Sequence, residues 1–154
     1  MGRWTRQELE HEFAEYQKAA GTAAETGDWT RWADKFTEDA EYVEHLYGDM
    51  HGRDEIRSWI SETMSTYPGN AMTEFPIGWY VVDEDRGWVV CQVWNRMADP
   101  GDGSIHQAYN VTLLKYAGDG LWSYEEDIYN PARFASMIQA WQERQTTLQA
   151  EAPR

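Results

Sequence analysis

The sequence predicts an α+β domain: a curved antiparallel sheet packed on three to four helices. Two observations carry this. Apolar residues recur at helical spacing near both ends of the chain, and turn-rich clusters cut residues 72–129 into a run of strands. A chain of 154 residues fits one domain, with a core over about 6–145.

The elements follow in order. Residues near 6–24 read as a helix, with Leu9, Phe13 and Tyr16 on one stripe. Thr26-Gly27-Asp28 is a stop-and-start signal, in which Asp28 caps a second helix carrying Trp29, Trp32, Ala33 and Phe36. Ala40 to Tyr47 reads as a strand and Gly48 to Gly52 as a tight turn that calls for φ above zero. Arg53 to Tyr67 reads as a third helix, facing inward with Ile56, Trp59, Ile60 and Met64, and Pro68-Gly69-Asn70 ends it. Strands are predicted near 72–83, 87–98, 105–117 and 121–129. Asn130-Pro131 opens a last helix over about 131–149, with Phe134, Met137, Ile138 and Trp141 at helical spacing. Residues 149–154 are expected to fray. Helices grouped around the first strand, followed by a four-strand meander, imply α+β segregation, and a bent sheet over a helical layer leaves a cavity.

Composition narrows the function. Acids outnumber bases by 27 to 13, a formal charge of −14, so nucleic acid is not an expected partner. Apolar runs fall short of the about 20 residues that a membrane span needs, and no signal peptide is read, which points to a cytoplasmic protein. The single Cys91 excludes an internal disulfide. Nine Trp, nine Tyr and four Phe are many rings for one small core; a ring-lined cavity for a small apolar molecule would hold them. Apolar residues on both faces of 87–96 (Val89, Cys91 and Val93 against Trp88, Val90 and Trp94) imply that both faces are covered, one by a second subunit in a homodimer. His45 and His51 straddle a turn without ligand spacing, so neither a metal nor a cofactor is expected.

Two stretches carry a resemblance. Gly27-Asp28-Trp29, Trp32, Phe36, Asp39-Ala40, Tyr42, His45, Gly48, Gly52-Arg53 and Ile56 resemble the opening of SnoaL-like domains. Tyr124-Glu125-Glu126-Asp127-Ile128-Tyr129-Asn130-Pro131 with Phe134 resembles their last strand and closing helix. The resemblance implies the nuclear transport factor 2-like cone, and a superfamily that spans cyclases, isomerases, dehydratases and members without catalysis.

Candidate chemistry follows. His45, in Val43-Glu44-His45-Leu46-Tyr47-Gly48, resembles the general-base position of ketosteroid isomerases, and imidazole titrates near neutral pH. Asp127 shares a strand face with Glu125 and Tyr129, opposite Trp122, Tyr124, Glu126 and Ile128. By resemblance to SnoaL-type cyclases, Asp127 or Asn130 is the acid/base, and an apolar cavity would raise an aspartate's pKa. Tyr16 is a candidate donor to an enolate oxygen. His106 and Asn110, four apart on one strand, are candidate ligand contacts, as are Trp94, Trp32, Tyr42 and Tyr129. The helix-face tryptophans Trp29, Trp32, Trp59 and Trp141 also fit plain core packing. The expected function is a small-molecule acid–base enzyme on a hydrophobic carbonyl compound; the alternative is a non-catalytic binding protein for a small apolar ligand.

Overall fold

The computed structural model describes residues 2–153. Helix α1 spans Arg6–Thr26, and Thr5 and Glu8 form a reciprocal capping box at its start. Gly27, in the left-handed region, closes it. Helix α2 is one turn, Thr30–Ala33, with the Asp28 carboxylate accepting from the Thr30 N–H at 3.0 Å. The longer second helix read from the Trp29–Phe36 stripe does not form. Phe36 instead begins strand β1, Phe36–Glu44, where Phe36, Ala40, Tyr42 and Glu44 are buried.

Strand β2, Gly48–His51, pairs antiparallel with β1, so the predicted turn at 48–52 is largely strand. The reversal is His45-Leu46-Tyr47, and Gly48 follows it at φ +100°, a conformation that disfavours any side chain. Helix α3 is Arg53–Ser65. Behind it the chain passes so close to the helix end that a Cβ on Gly69 would lie 2.3 Å from the Thr63 carbonyl oxygen.

The strand predicted near 72–83 divides into β3, Met72–Glu74, and β4, Ile77–Asp83. Phe75-Pro76 interrupts it because proline has no N–H for the ladder. Strands β5 (Trp88–Met97), β6 (Gln107–Gly118) and β7 (Leu121–Ile128) form an antiparallel meander. Helix α4 runs from Pro131 to Glu151, three residues into the stretch expected to fray.

The sheet order is β2-β1-β7-β6-β5-β3, with β4 also on β5. The β1–β7 pairing is parallel, so the sheet is mixed. Its register sets Tyr42 beside Glu125 and Glu44 beside Asp127. Helices α1 to α3 cover one face and bury Leu9, Phe13, Phe36, Ile56, Leu114 and Trp122. Burial on this scale stabilises by about 1.5–3 kcal/mol per large side chain. Helix α4 closes one end of the cone through Met137 and Trp141, and the Trp141 indole N–H donates to the Ala98 carbonyl at 2.7 Å. No helix among the described residues is long and apolar enough to cross a membrane.

Candidate functional site

Between the helices and the concave sheet face lies a cavity of about 700 Å³. Rings from α1, α2, β1 and α3 (Tyr16, Trp29, Trp32, Tyr42 and Trp59) form much of its wall. Tyr42 and Trp59 pack at 4.9 Å, and Trp29 and Trp32 at 5.6 Å. On the sheet side the wall is polar: Asn95, Asn110, Thr112, Glu125, Asp127 and Glu44 all face in.

Strand β7 delivers the two central carboxyls. Alternation sends Glu125 and Asp127 inward and Tyr124 and Glu126 outward. Trp122, expected on the outward set, is fully buried inside. The ladder explains it: Tyr116 pairs with Trp122 while its neighbour Lys115 pairs with Tyr124, leaving Ser123 as an extra residue. This bulge reverses the parity of the strand below it.

The inward polar groups form one chain of hydrogen bonds. Asn95 Nδ2 donates to Asn110 Oδ1 at 2.8 Å, Asn110 Nδ2 to Thr112 Oγ1 at 2.7 Å, and Thr112 Oγ1 to Asp127 Oδ1 at 2.6 Å. The Tyr42 hydroxyl contacts Asp127 Oδ2 and lies 3.0 Å from Glu125 Oε1. Tyr16 donates to Glu125 Oε2 at 2.8 Å. A phenol has one proton. Tyr42 therefore satisfies both carboxyls only if one of them carries a proton and donates back to the phenol oxygen.

Electrostatics assign that proton to Glu125. Burial, then the Asp127 charge beside it, pushes the Glu125 carboxyl well above the usual carboxylate range. Burial also raises Asp127, but the hydrogen bonds from Thr112 and Tyr42 oppose the rise. Tyr16 and Tyr42 are pushed up by burial, then by Glu125 and Asp127 respectively, and stay neutral. Glu125 is thus the carboxyl of the pair that holds a proton more tightly, with the Tyr42 hydroxyl between it and Asp127. Such a chain moves a proton over two short steps. Glu44, also buried, is held differently: its Oε2 accepts the Leu46 and Tyr47 backbone N–H groups at 3.1 and 2.6 Å.

Of the residues singled out from sequence, Tyr16, Trp32, Tyr42, Asn110, Asp127 and Tyr129 line the cavity. His45, Trp94 and His106 do not. His45 sits in the β1–β2 turn, beyond the end of the strand that was to aim it inward. Its Nε2 lies 2.8 Å from Glu126 Oε2 on the convex side, and its side chain is 46% exposed. Trp94 is on the convex face against Tyr109, at 5.2 Å. His106 precedes β6 and pairs with the Ser104 hydroxyl at 3.0 Å. Sequence reasoning passed over Glu125, Thr112, Glu44 and Asn95 as functional groups. Strand alternation was a usable signal for Glu125, two residues before Asp127. Among the described residues no group of three or more His, Cys, Asp or Glu side chains is set to hold a metal ion.

The sequence profile of the SnoaL-like domain matches residues 18–124. The chain belongs to the SnoaL-like domain family. The profile match ends one residue before Glu125, so the carboxyl pair lies just past it. This SnoaL-like chain is similar in structure to a Jannaschia sp. CCS1 protein assigned as a SnoaL-like polyketide cyclase. The TM-score is 0.67 and identity 16%, over 91% of this chain and 99% of that one. It is also similar to an NTF2-like protein from Anabaena variabilis, with TM-score 0.62 and 14% identity over 84% and 96% of the two chains. A third is SalBIII, an epoxide hydrolase/cyclase-like enzyme of pyran ring formation in the polyether salinomycin, with TM-score 0.62 and 16% identity over 82% and 94%. At these identities the likeness concerns the fold. No curated protein matches the chain in sequence.

Proposed function

We propose that this SnoaL-like protein is a small-molecule acid–base enzyme that acts on a largely apolar, carbonyl-bearing substrate held in the cavity. One observation carries the reading: the Tyr42 hydroxyl bridges two carboxyls of unequal proton affinity in the cavity wall. Enzymes of this kind need a base and an acid whose environments separate their pKa values. Asp127 takes a proton from the carbon next to the carbonyl, and the C–H electron pair moves into the enol. Glu125 supplies the proton that the carbonyl oxygen gains. Tyr42 then passes the proton on Asp127 back to Glu125, and the pair is reset.

The test is exchange of the α-hydrogens of small apolar ketones in deuterated water, followed by NMR. Asp127→Asn should slow exchange by about 10²–10⁴-fold. Exchange undiminished in that variant would refute the assignment. Binding that stabilises the fold with no exchange in the wild type would favour a carrier.

A second copy of the chain is proposed to cover the convex face. Trp79, Val81, Tyr109 and Ile128 there are large, apolar and well exposed. Contiguous apolar surface of this sort marks interaction sites.

A further inference from the structure

We propose that the molecule held in the cavity carries a positively charged, alkylated nitrogen. This rests on the reading of the cavity as the ligand site and names the class of ligand.

Three independent features converge on it. The wall holds Glu44, Glu125 and Asp127, with Glu62 at the exposed rim, and among the described residues no Lys, Arg or His lines it. Among the described residues Glu44 has no cationic partner; two backbone N–H groups and the Tyr129 hydroxyl hold it. Three carboxyls thus share one buried wall, with no side-chain cation set opposite them among the described residues. A ligand cation would supply the missing partner.

The second feature is the donor inventory. The Tyr16, Tyr42 and Thr112 hydroxyls each have one hydrogen, and each is committed to a carboxyl oxygen. The side-chain amide of Asn110 donates to Thr112, and that of Asn95 to Asn110. The Trp59 indole N–H has no partner, but its nitrogen is buried out of reach. Around the carboxyls the side-chain donors are therefore already committed, the Tyr129 hydroxyl to Glu44 among them; Gln17, Thr63 and Tyr67 line other parts of the cavity. An anionic ligand meets repulsion at this wall.

The third feature is the rings. Trp29, Trp32, Tyr42, Trp59, Phe75 and Tyr129 surround the same space. Trp29 meets Phe75 at 5.8 Å and Trp32 meets Tyr42 at 6.2 Å. Alkylated ammonium groups are weakly hydrated, enter apolar surroundings at modest cost and are attracted to ring faces. The formal charge of −14 over the whole chain draws cations toward the mouth.

The experiment compares two isosteric probes on the intact protein at near-neutral pH: para-hydroxyphenyltrimethylammonium and para-tert-butylphenol. They differ in charge and hardly in shape. Titration calorimetry should show the cation binding roughly tenfold or more tighter than the phenol. That margin should shrink as salt is added, because the wall charge is partly screened. Glu44→Gln should reduce the cation's affinity several-fold and leave the phenol within about twofold. Equal affinities for the two probes, or tighter binding of the phenol, would overturn the proposal. The wild-type comparison needs no variant to fold. Ketone hydrogen exchange is measured on the same samples. Exchange without cation preference overturns this inference and keeps the acid–base reading; cation preference without exchange does the opposite. Binding of neither probe overturns the assignment of ligand class.

Discussion

Replacing Glu125 by Gln is expected to change how stability varies with pH. The amide keeps the shape of the carboxyl, an acceptor for Tyr16 and a donor for Tyr42, but removes the titration. In the wild type the Glu125 carboxyl is buried and its proton is held well above the usual range by burial and by Asp127. A raised folded pKa gives stability that is full below the unfolded pKa, about 4.3 for Glu, and is lost as pH rises toward the folded pKa. Across that window the native chain holds one more proton than the unfolded chain. The slope is then about −1.4 kcal/mol per pH unit. From about pH 5.5 to about pH 7.5 the wild type should lose about 2.7 kcal/mol through this group while the proton stays bound. The variant should lose none of it. Asp127 is raised by the same burial; it is retained in the variant and contributes to both curves with the same sign. The depressed carboxyls, such as Asp83, Asp99 and Asp102, keep their effects in both proteins and cancel in the difference. Urea unfolding at steps across this range gives the two curves. Parallel curves above about pH 5 would show that Glu125 ionises as an ordinary carboxyl, and the proton assignment would fail.

Two further outcomes follow from the same geometry. His45→Ala should leave α-hydrogen exchange within about twofold of wild type, and should cost no more than the 0.2–1 kcal/mol or so of an exposed ion pair; a large loss of turnover would return His45 to the site. Val81→Asp, on the convex face where Val81 is 55% exposed, should convert a dimer to a monomer in sedimentation, since a charge there opposes burial. An unchanged dimer would place the contact elsewhere.

The sequence carried helices α1, α3 and α4 and the meander because each rests on local periodicity. Leu9, Phe13 and Tyr16 share a stripe, and the glycine-rich clusters fall between strands. It did not carry the parallel β1–β7 pairing, which joins segments some eighty residues apart and leaves no local mark. That pairing is what sets Tyr42 against Glu125 and Glu44 against Asp127. Local reading failed in two instructive places. His45 looked like the end of an inward strand, yet β1 ends at Glu44, His45 opens the reversal that Gly48 follows, and the ring faces Glu126 on the convex side. Trp122 looked outward by simple alternation, yet the extra residue Ser123 turns it in. Asp127 was legible as a candidate through the resemblance of residues 124–131 to the last strand of SnoaL-like domains. Glu125, on the same face, went unremarked because neighbouring acids usually read as solvated surface; its 2% exposure and the bridging phenol are tertiary facts.

The central claim concerns one proton held between two carboxyls inside the cavity. Carbon-13 NMR of the side-chain carboxyl carbons, assigned with Glu125→Gln and Asp127→Asn and titrated from acid to neutral pH, reads that proton directly. The Glu125 carbon should keep the shift of a carboxylic acid through neutral pH while the Asp127 carbon shows a carboxylate. Carboxylate shifts for both carbons from about pH 5 upward, the behaviour of ordinary carboxyls, would contradict it.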